Sequence, residues 1–427
     1  MGQGVLSQPF GRVEGVLQCE GVPLDFLAEH VGTPAYIYSA ASLRAQYARL
    51  VEVLSPVSHR VYYACKANSS LGILSFLRSL GARVDVVSGG ELFRAQAAGF
   101  VADEIIFGGV GKSAQELDDA LAAGVHVISV ESAEELRLLD ALAARRGVIA
   151  RAGIRVNPEI SVSTFHEYIK TGEKGDKFGV PFDEAHDAAR LAHALPHIRL
   201  VAIGMHIGSQ LSEVAPYQHA IARLEALIGV LRAEGVDTLE HVDIGGGLYV
   251  PYEGEAPADL AAYAEIVIPA VQRLGLELIV EPGRFLVAES GVLLARVLYR
   301  KHSGGRELLV TDTGMNDLLR PSHYDAFHRI EAVHPVEARG NFDVVGPICE
   351  SGDFLALGRE MEDVGPGALL CVFTAGAYGI SMASNYNARP RPVEVLVDGD
   401  RWGVITVREQ YEDLVRREVV APEWRNS

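Results

Sequence analysis

The sequence predicts an α/β plus β chain: a (β/α)8 barrel of the TIM type, with a C-terminal all-β domain that also includes the N-terminal segment. Three observations predict it. Short β-prone runs recur near residues 61–65, 83–87, 104–108, 125–130, 152–157, 199–206, 240–244 and 276–281, with Ala/Leu/Glu-rich helical stretches between them. Polar or glycine-rich residues follow nearly every run, as the ligand-facing rim of a barrel requires. After about residue 286 the pattern changes to short β-rich runs separated by Gly and Pro turns. A doubly wound open sheet is the alternative for the first part. Closure is favoured because one face of a barrel collects all of those polar strand ends. The expected boundaries are 36–285 for the barrel, and 1–35 with 286–427 for the β-rich domain.

In chain order, Asp25 to Gly32 reads as a helix stopped by glycine, Ala35-Tyr36-Ile37-Tyr38 as a short strand, and Ser39 as the cap of a helix beginning near Ala40. The barrel runs then end in turn at Lys66, Ser88, Gly108-Gly109, Glu131, Asn157, His206, Gly245-Gly246-Gly247, and Glu281 with Arg284. The alanine-rich tracts at 95–98, 120–123 and 141–144 read as helix faces. Residues 161–176, rich in Gly, Ser, Thr and charge, have the composition of a lid that closes over substrate. The later β-rich runs are 292–299, 307–310, 342–345, 368–373, 393–397 and 401–406, and no internal repeat is visible.

A chain of 427 residues is long enough for a large core and for about two or three domains. Its composition, 48% hydrophobic and 22% charged, is that of a globular protein. The 38 Lys and Arg against 56 Asp and Glu give a formal charge of -18, which argues against nucleic acid or an anionic membrane as the main partner. The first twenty residues hold one basic side chain, Arg12, and no apolar run long enough for a signal peptide, and no stretch approaches the ~20 apolar residues of a membrane span. Met1-Gly2 begins like a myristoylation signal, but Leu6 stands where Ser or Thr is needed. Cys19, Cys65, Cys349 and Cys371 are scattered, without metal-ligand spacing, so neither a disulfide framework nor a metal is expected and a reducing cytoplasm fits best.

Chemistry concentrates at the strand ends. Val61-Tyr62-Tyr63-Ala64-Cys65 stops at Lys66, and a partly desolvated amine at the carboxyl end of a barrel strand can form a Schiff base, although a lone lysine there usually just reaches for solvent. The Gly245 to Gly247 run lets backbone N–H groups approach a phosphate, but it lacks the full dinucleotide-binding pattern. In Glu281-Pro282-Gly283-Arg284 the carboxylate could hold a pyridine nitrogen protonated and the arginine could meet a phosphate or a substrate carboxylate; a structural ion pair is the plainer reading. In His206-Ile207-Gly208-Ser209-Gln210 the imidazole could stack on a flat ring and Ser209 could donate to a phosphate. In Cys349-Glu350-Ser351-Gly352-Asp353 the thiol is a serviceable proton donor and Glu350 could bind an amine, whereas most free cysteines are inert.

The order and co-occurrence of these stretches, with Gly376-Ala377-Tyr378-Gly379, resemble the fold type III decarboxylases that depend on pyridoxal 5'-phosphate (PLP). The resemblance runs from Gly32-Thr33-Pro34 to Arg389-Pro390-Arg391-Pro392-Val393-Glu394-Val395-Leu396. Gly314-Met315-Asn316-Asp317-Leu318-Leu319-Arg320-Pro321 with Tyr324, Lys177-Phe178-Gly179, and Met382-Ala383-Ser384-Asn385-Tyr386-Asn387 are similar to the diaminopimelate decarboxylases within that group. The resemblance implies decarboxylation of meso-2,6-diaminopimelate to L-lysine, with Lys66 carrying PLP as a Schiff base and Cys349 as the proton donor. It implies PLP contacts from Asp85, His206, Ser209, Gly246, Gly247, Glu281, Gly283, Arg284 and Tyr378, substrate contacts from Arg284, Arg320, Tyr324, Glu350 and Tyr378, no metal, and a homodimer with shared sites. Arginines suit a substrate whose remote end keeps a carboxylate, and would be a liability in an enzyme that forms a diamine. Thr313, where alanine is usual, and Ser322-His323 depart from the pattern. Three rivals stand beside this reading: another basic amino acid as substrate, an amino-acid racemase, and a non-catalytic binding homologue.

Overall fold

The computed structural model describes residues 9–160, 175–422 and 424–425. It forms two compact units, Ser42–Glu289 and Met1–Ala41 with Ser290–Ser427.

In Ser42–Glu289, eight strands pair in parallel and close on themselves: His59–Ala64, Arg83–Val86, Ile105–Phe107, Val127–Val130, Ala150–Asn157, Ile198–Gly204, His241–Asp243 and Glu277–Val280. Every run expected to be a barrel strand is one. Helices between them follow sequence punctuation. The Ser113 hydroxyl accepts the Glu116 N–H and the Glu116 carboxylate accepts the Ser113 N–H, which starts helix Ala114–Ala123, and Gly124 ends it at a left-handed φ of 67°.

Residues directly opposite each other on neighbouring strands face the same way, so register decides what points inward. Tyr62, Ile106, Val127, Ala202 and Ile279 belong to one buried cluster that fills the barrel. Nearer the carboxyl ends, Asp85 lies opposite Ala64 and Ile106, and Arg155 and Asp243 flank Gly204. A Cβ on Gly204 would lie 2.8 Å from that of Asp243, so glycine is what leaves room for charge at this level.

The amino ends of the strands hold a polar cluster. His126 Nδ1 lies 2.8 Å from Asp103, and its Nε2 lies 3.1 Å from His241 Nε2 and 3.4 Å from Arg60. Burial pushes the His126 imidazole down to about 4, helped by Arg60 and His241 and opposed by Asp103. The unfolded chain takes up this proton near the ordinary value of about 6.5, so stability falls as pH drops through that window, by up to about 3 kcal/mol. Urea melts at pH 7 and pH 5 are expected to show a smaller loss for His126→Gln than for wild type. Equal losses would remove His126 as the cause.

In the other unit a sheet runs in the order Phe354–Glu362, Arg339–Val345, Arg306–Thr311, Gly291–Ser303, Ala35–Ser39, Val393–Asp398, Arg401–Thr406, and Leu369–Val372 pairs with both Gly291–Ser303 and Ile330–Ala332. Phe10, Leu17, Leu24 and Leu27 from the N-terminal segment share one core with Ile37, Val292, Leu294, Cys371 and Val395. Each of these side chains contributes about 1.5–3 kcal/mol by leaving water.

Two details differ from expectation. Ala35–Ser39 pairs with Gly291–Ser303 and Val393–Asp398, which moves the boundary from 35/36 to 41/42; at the other end it falls at 289/290, not 285/286. At the start of helix Ala40–Leu54 Ser39 donates to Glu20, and the Glu20 carboxylate also accepts the Ala41 N–H. Phe354–Glu362 was not foreseen as a strand because it lies at a sheet edge, carries exposed charge and bends at Gly358, φ 56°.

Candidate active site

Lys66 stands in the short turn Cys65–Ala67 that follows the first barrel strand. Its Nζ donates to Asp85 Oδ2 at 2.9 Å; the carboxylate is 3% exposed and the lysine side chain 40%. Burial pushes the neighbouring Cys65 thiol far up, which keeps it an inert apolar group.

The rest of the barrel mouth is built against this pair. The Pro282 carbonyl accepts the Ala64 N–H, and a Cβ on Gly283 would lie 3.1 Å from that of Ala64, so the eighth strand's turn packs directly on the lysine strand. Arg284, 7% exposed, donates through Nε and Nη2 to the Ser209 hydroxyl at 3.3 Å and through Nη1 to the Tyr252 hydroxyl at 3.0 Å. Glu281 turns instead to Asp243, with which it shares a hydrogen bond. Burial, and then the charges of Asp243 and Asp85, push the Glu281 carboxyl well above its usual range, while Lys66 opposes them. Asp243 is also raised by burial, so both carboxyls of the pair are pressed toward their protonated forms.

The glycine run explains its own composition. A Cβ on Gly245 would lie 2.7 Å from His206 Nδ1, one on Gly246 would strike the Glu281 carbonyl, and one on Gly247 would lie 2.6 Å from the Gly208 carbonyl. The Gly246 N–H donates to His206 Nδ1 at 3.2 Å, which leaves the remaining proton of a neutral ring on Nε2. Burial, then Arg155 and Lys66, hold the imidazole well below its usual range and therefore neutral. Tyr217 fixes the loop from below by donating to the Gly246 carbonyl at 2.8 Å.

Sequence reasoning gave no role to Asp243 or Arg155. Arg155 donates to Glu131 at 3.1 Å, Glu131 also accepts the Gly179 N–H at 2.7 Å, and the guanidinium lies 4.8 Å from the centre of the Phe178 ring. The Lys177-Phe178-Gly179 stretch is thereby tied to the barrel mouth. The proposed lid at 161–176 lies, apart from its last two residues, outside the described residues.

In the β-rich unit the stretches that typed the substrate form one cluster. Asp353 accepts the N–H groups of Met315 and Ile348, both at 2.6 Å, so one carboxylate braces the 314–321 stretch against the Cys349 loop. The Cys349 N–H donates to Asn387 Oδ1 at 2.8 Å, and Tyr386 bonds to Glu350. The Ser384 N–H donates to the Asn316 carbonyl at 2.9 Å. Cys349 and Glu350 are both exposed in the isolated chain. Arg320, 6% exposed, opens the short helix Arg320–Tyr324, and the Tyr324 ring packs 4.5 Å from that of His323. Tyr378 adopts a left-handed φ of 56°, a local strain of about 1–2 kcal/mol at a residue expected to touch cofactor and substrate. The departures from the family pattern are accommodated: Thr313 donates to Asp317 at 2.9 Å, and Ser322 donates to the Gly352 carbonyl at 2.5 Å.

The barrel mouth fits PLP. It supplies an amine at Lys66, a carboxyl pair able to give up a proton beside a pyridinium N–H, and a hydroxyl and guanidinium at Ser209 and Arg284 beside a glycine loop for a phosphate. Among the described residues no group of three or more His, Cys, Asp or Glu could hold a metal ion, and no helix is long and apolar enough to cross a membrane.

Residues 40–288 match the family model described as pyridoxal-dependent decarboxylase, pyridoxal binding domain, so the class that fold and site define is the barrel-type PLP-dependent decarboxylases. Over 411 residues the chain is 45% identical to a diaminopimelate decarboxylase of Pseudomonas fluorescens, covering 96% of this chain and 98% of that one. It is also 45% identical to that of Neisseria meningitidis, covering 94% and 99%. The crystal structure of diaminopimelate decarboxylase from Helicobacter pylori complexed with L-lysine superposes with a TM-score of 0.89 at 40% identity, covering 92% and 98%. The chain belongs to the diaminopimelate decarboxylase family.

Proposed function

We propose that this enzyme decarboxylates meso-2,6-diaminopimelate to L-lysine and CO2, with PLP held at the mouth of its barrel. The observation that carries the reading is the Lys66–Asp85 pair set among the ends of the first, second, seventh and eighth strands, with the Glu281–Asp243 carboxyl pair in its field. PLP bound there supplies an electron sink for the pair left on the α-carbon when CO2 departs.

The chain's own residues do the rest. Lys66 Nζ would attach the cofactor, and Asp85, which accepts from Nζ, would hold the lysine amine in place whenever the substrate amine has replaced it. Glu281 would transfer a proton to the ring nitrogen of bound PLP and, as the carboxylate left behind, compensate the positive charge that results. The neutral His206 ring would stack on the cofactor, and Ser209, Gly246, Gly247, Gly283 and Arg284 would hold its phosphate. Arg320, Tyr324 and Tyr378 would take the remote carboxylate and Glu350 the remote ammonium, which would orient the other carboxylate for departure. Cys349 Sγ returns a proton to the α-carbon.

Purified enzyme supplied with PLP is expected to release CO2 and L-lysine from meso-diaminopimelate, and no CO2 from ornithine, lysine or arginine. CO2 from one of the others would overturn the roles of Arg320 and Tyr324. Racemisation without CO2, or no turnover with cofactor bound, would overturn the reaction itself.

We further propose a cytoplasmic homodimer in which Cys349 and Glu350, exposed in the isolated chain, complete the neighbouring subunit's site. Cys349→Ala is expected to lower kcat by about 10²–10⁴-fold, the range for loss of a general acid. Mixing Lys66→Ala with Cys349→Ala chains should restore activity above either parent. No recovery after proven subunit exchange would refute shared sites.

A further inference from the structure

His328 has no role in the chemistry above, yet it is 0% exposed and lies against the buried guanidinium of Arg320. Strand Ile330–Ala332 pairs antiparallel with Leu369–Val372, Ile330 opposite Val372, which brings His328 level with the backbone just past Phe373. Its Nδ1 lies 2.9 Å from the Phe373 carbonyl and its Nε2 lies 2.9 Å from Arg320 Nη1. A carbonyl only accepts and a guanidinium only donates, so the contacts fix one form of the ring: Nδ1 carries the proton, Nε2 presents its lone pair, and the imidazole is neutral. The Phe373 N–H in turn donates to the Arg329 carbonyl at 2.8 Å, and Arg359 Nη1 donates to the His328 carbonyl at 2.7 Å, so the histidine is held through its backbone as well.

We propose that His328 is a positioning residue for substrate specificity: the sheet holds its ring, and the ring holds the Arg320 side chain in the orientation that meets the remote carboxylate. A neutral acceptor suits this task. It fixes a guanidinium N–H without cancelling the positive charge, as a carboxylate in the same place would. The inference rests on the reading of Arg320 as a contact to that carboxylate.

The test compares two competitive ligands of the PLP-loaded enzyme, L-lysine, which keeps the remote carboxylate, and 1,5-diaminopentane, which lacks it. In His328→Leu the inhibition constant for L-lysine and the KM for meso-diaminopimelate are expected to rise about tenfold to a hundredfold, as for loss of a bond that orients a charged group. The inhibition constant for 1,5-diaminopentane should change less than about threefold. His328→Gln, whose amide can accept from Arg320 and donate to Phe373, should restore L-lysine binding. In an Arg320→Ala background His328→Leu should add little further loss. Equal weakening of both ligands, or the same cost with and without Arg320, would overturn the proposal in favour of a structural role. An Arg320→Ala enzyme that still prefers L-lysine to 1,5-diaminopentane would overturn the reading of Arg320. Loss of that preference in Arg320→Ala, with His328→Leu unaffected, would overturn the inference alone. If His328→Leu fails to fold, His328→Gln and His328→Asn carry the comparison, since Asn is too short to span both partners.

Discussion

Lys66→Ala is expected to lower kcat by about 10⁴-fold or more and to leave no cofactor fixed to the chain after borohydride reduction. Wild-type Lys66 holds an ion pair with Asp85 at 2.9 Å, so the loss has two candidate causes, the missing nucleophile and the missing charge. Lys66→Arg separates them. A guanidinium can keep the contact to Asp85 but cannot attack a carbonyl at neutral pH. Both variants should therefore be inactive, and both should fold, because the lysine side chain is 40% exposed and its removal opens no cavity in the core. Activity of Lys66→Arg within about tenfold of wild type would reduce the lysine to a charge and remove covalent attachment from the mechanism.

Glu281→Gln is expected to lower kcat by about 10²–10³-fold with a smaller change in KM, the range seen when one preorganised electrostatic partner of the reacting group is removed. The glutamine amide can still donate to Asp243, so the local hydrogen bond survives. It cannot take a negative charge. In the wild type, burial and then the charges of Asp243 and Asp85 press Glu281 toward its protonated form, and a cation arriving beside it reverses that pressure. The carboxyl pair is thus poised to exchange a proton for a pyridinium. Asp243→Asn should relieve part of the crowding and make Glu281 ionise more readily, with a milder loss than Glu281→Gln. A kcat for Glu281→Gln within about threefold of wild type would take the carboxylate out of the chemistry.

Much of this site was legible before folding because barrel strands announce themselves. The runs ending at Lys66, His206, Gly245 to Gly247 and Glu281 each show a buried β stretch followed abruptly by polar or glycine residues, and in a closed parallel barrel all such ends share one face. Punctuation also located the helix stop at Gly32. The strand Phe354–Glu362 escaped because alternation fails where an edge strand carries charge and bends at a glycine.

The sequence by itself pointed to the reaction class through the family resemblance that an amine, an imidazole, a glycine loop, a carboxylate with an arginine and a thiol carry in that order. Only the tertiary structure decided who partners whom. That Glu281 turns to Asp243 while Arg284 turns to Ser209 and Tyr252 follows from the inward register of the sixth to eighth strands and the turn beyond them. That Asp353 braces two loops, Glu20 caps the helix after Ser39, and His328 aims Arg320 follows from the pairing of strands distant in sequence. The physical reason is the same in each case. Local sequence sets where a strand or helix begins and ends, whereas a hydrogen bond depends on distances of a few tenths of an ångström, which the chain acquires only when its sheets close.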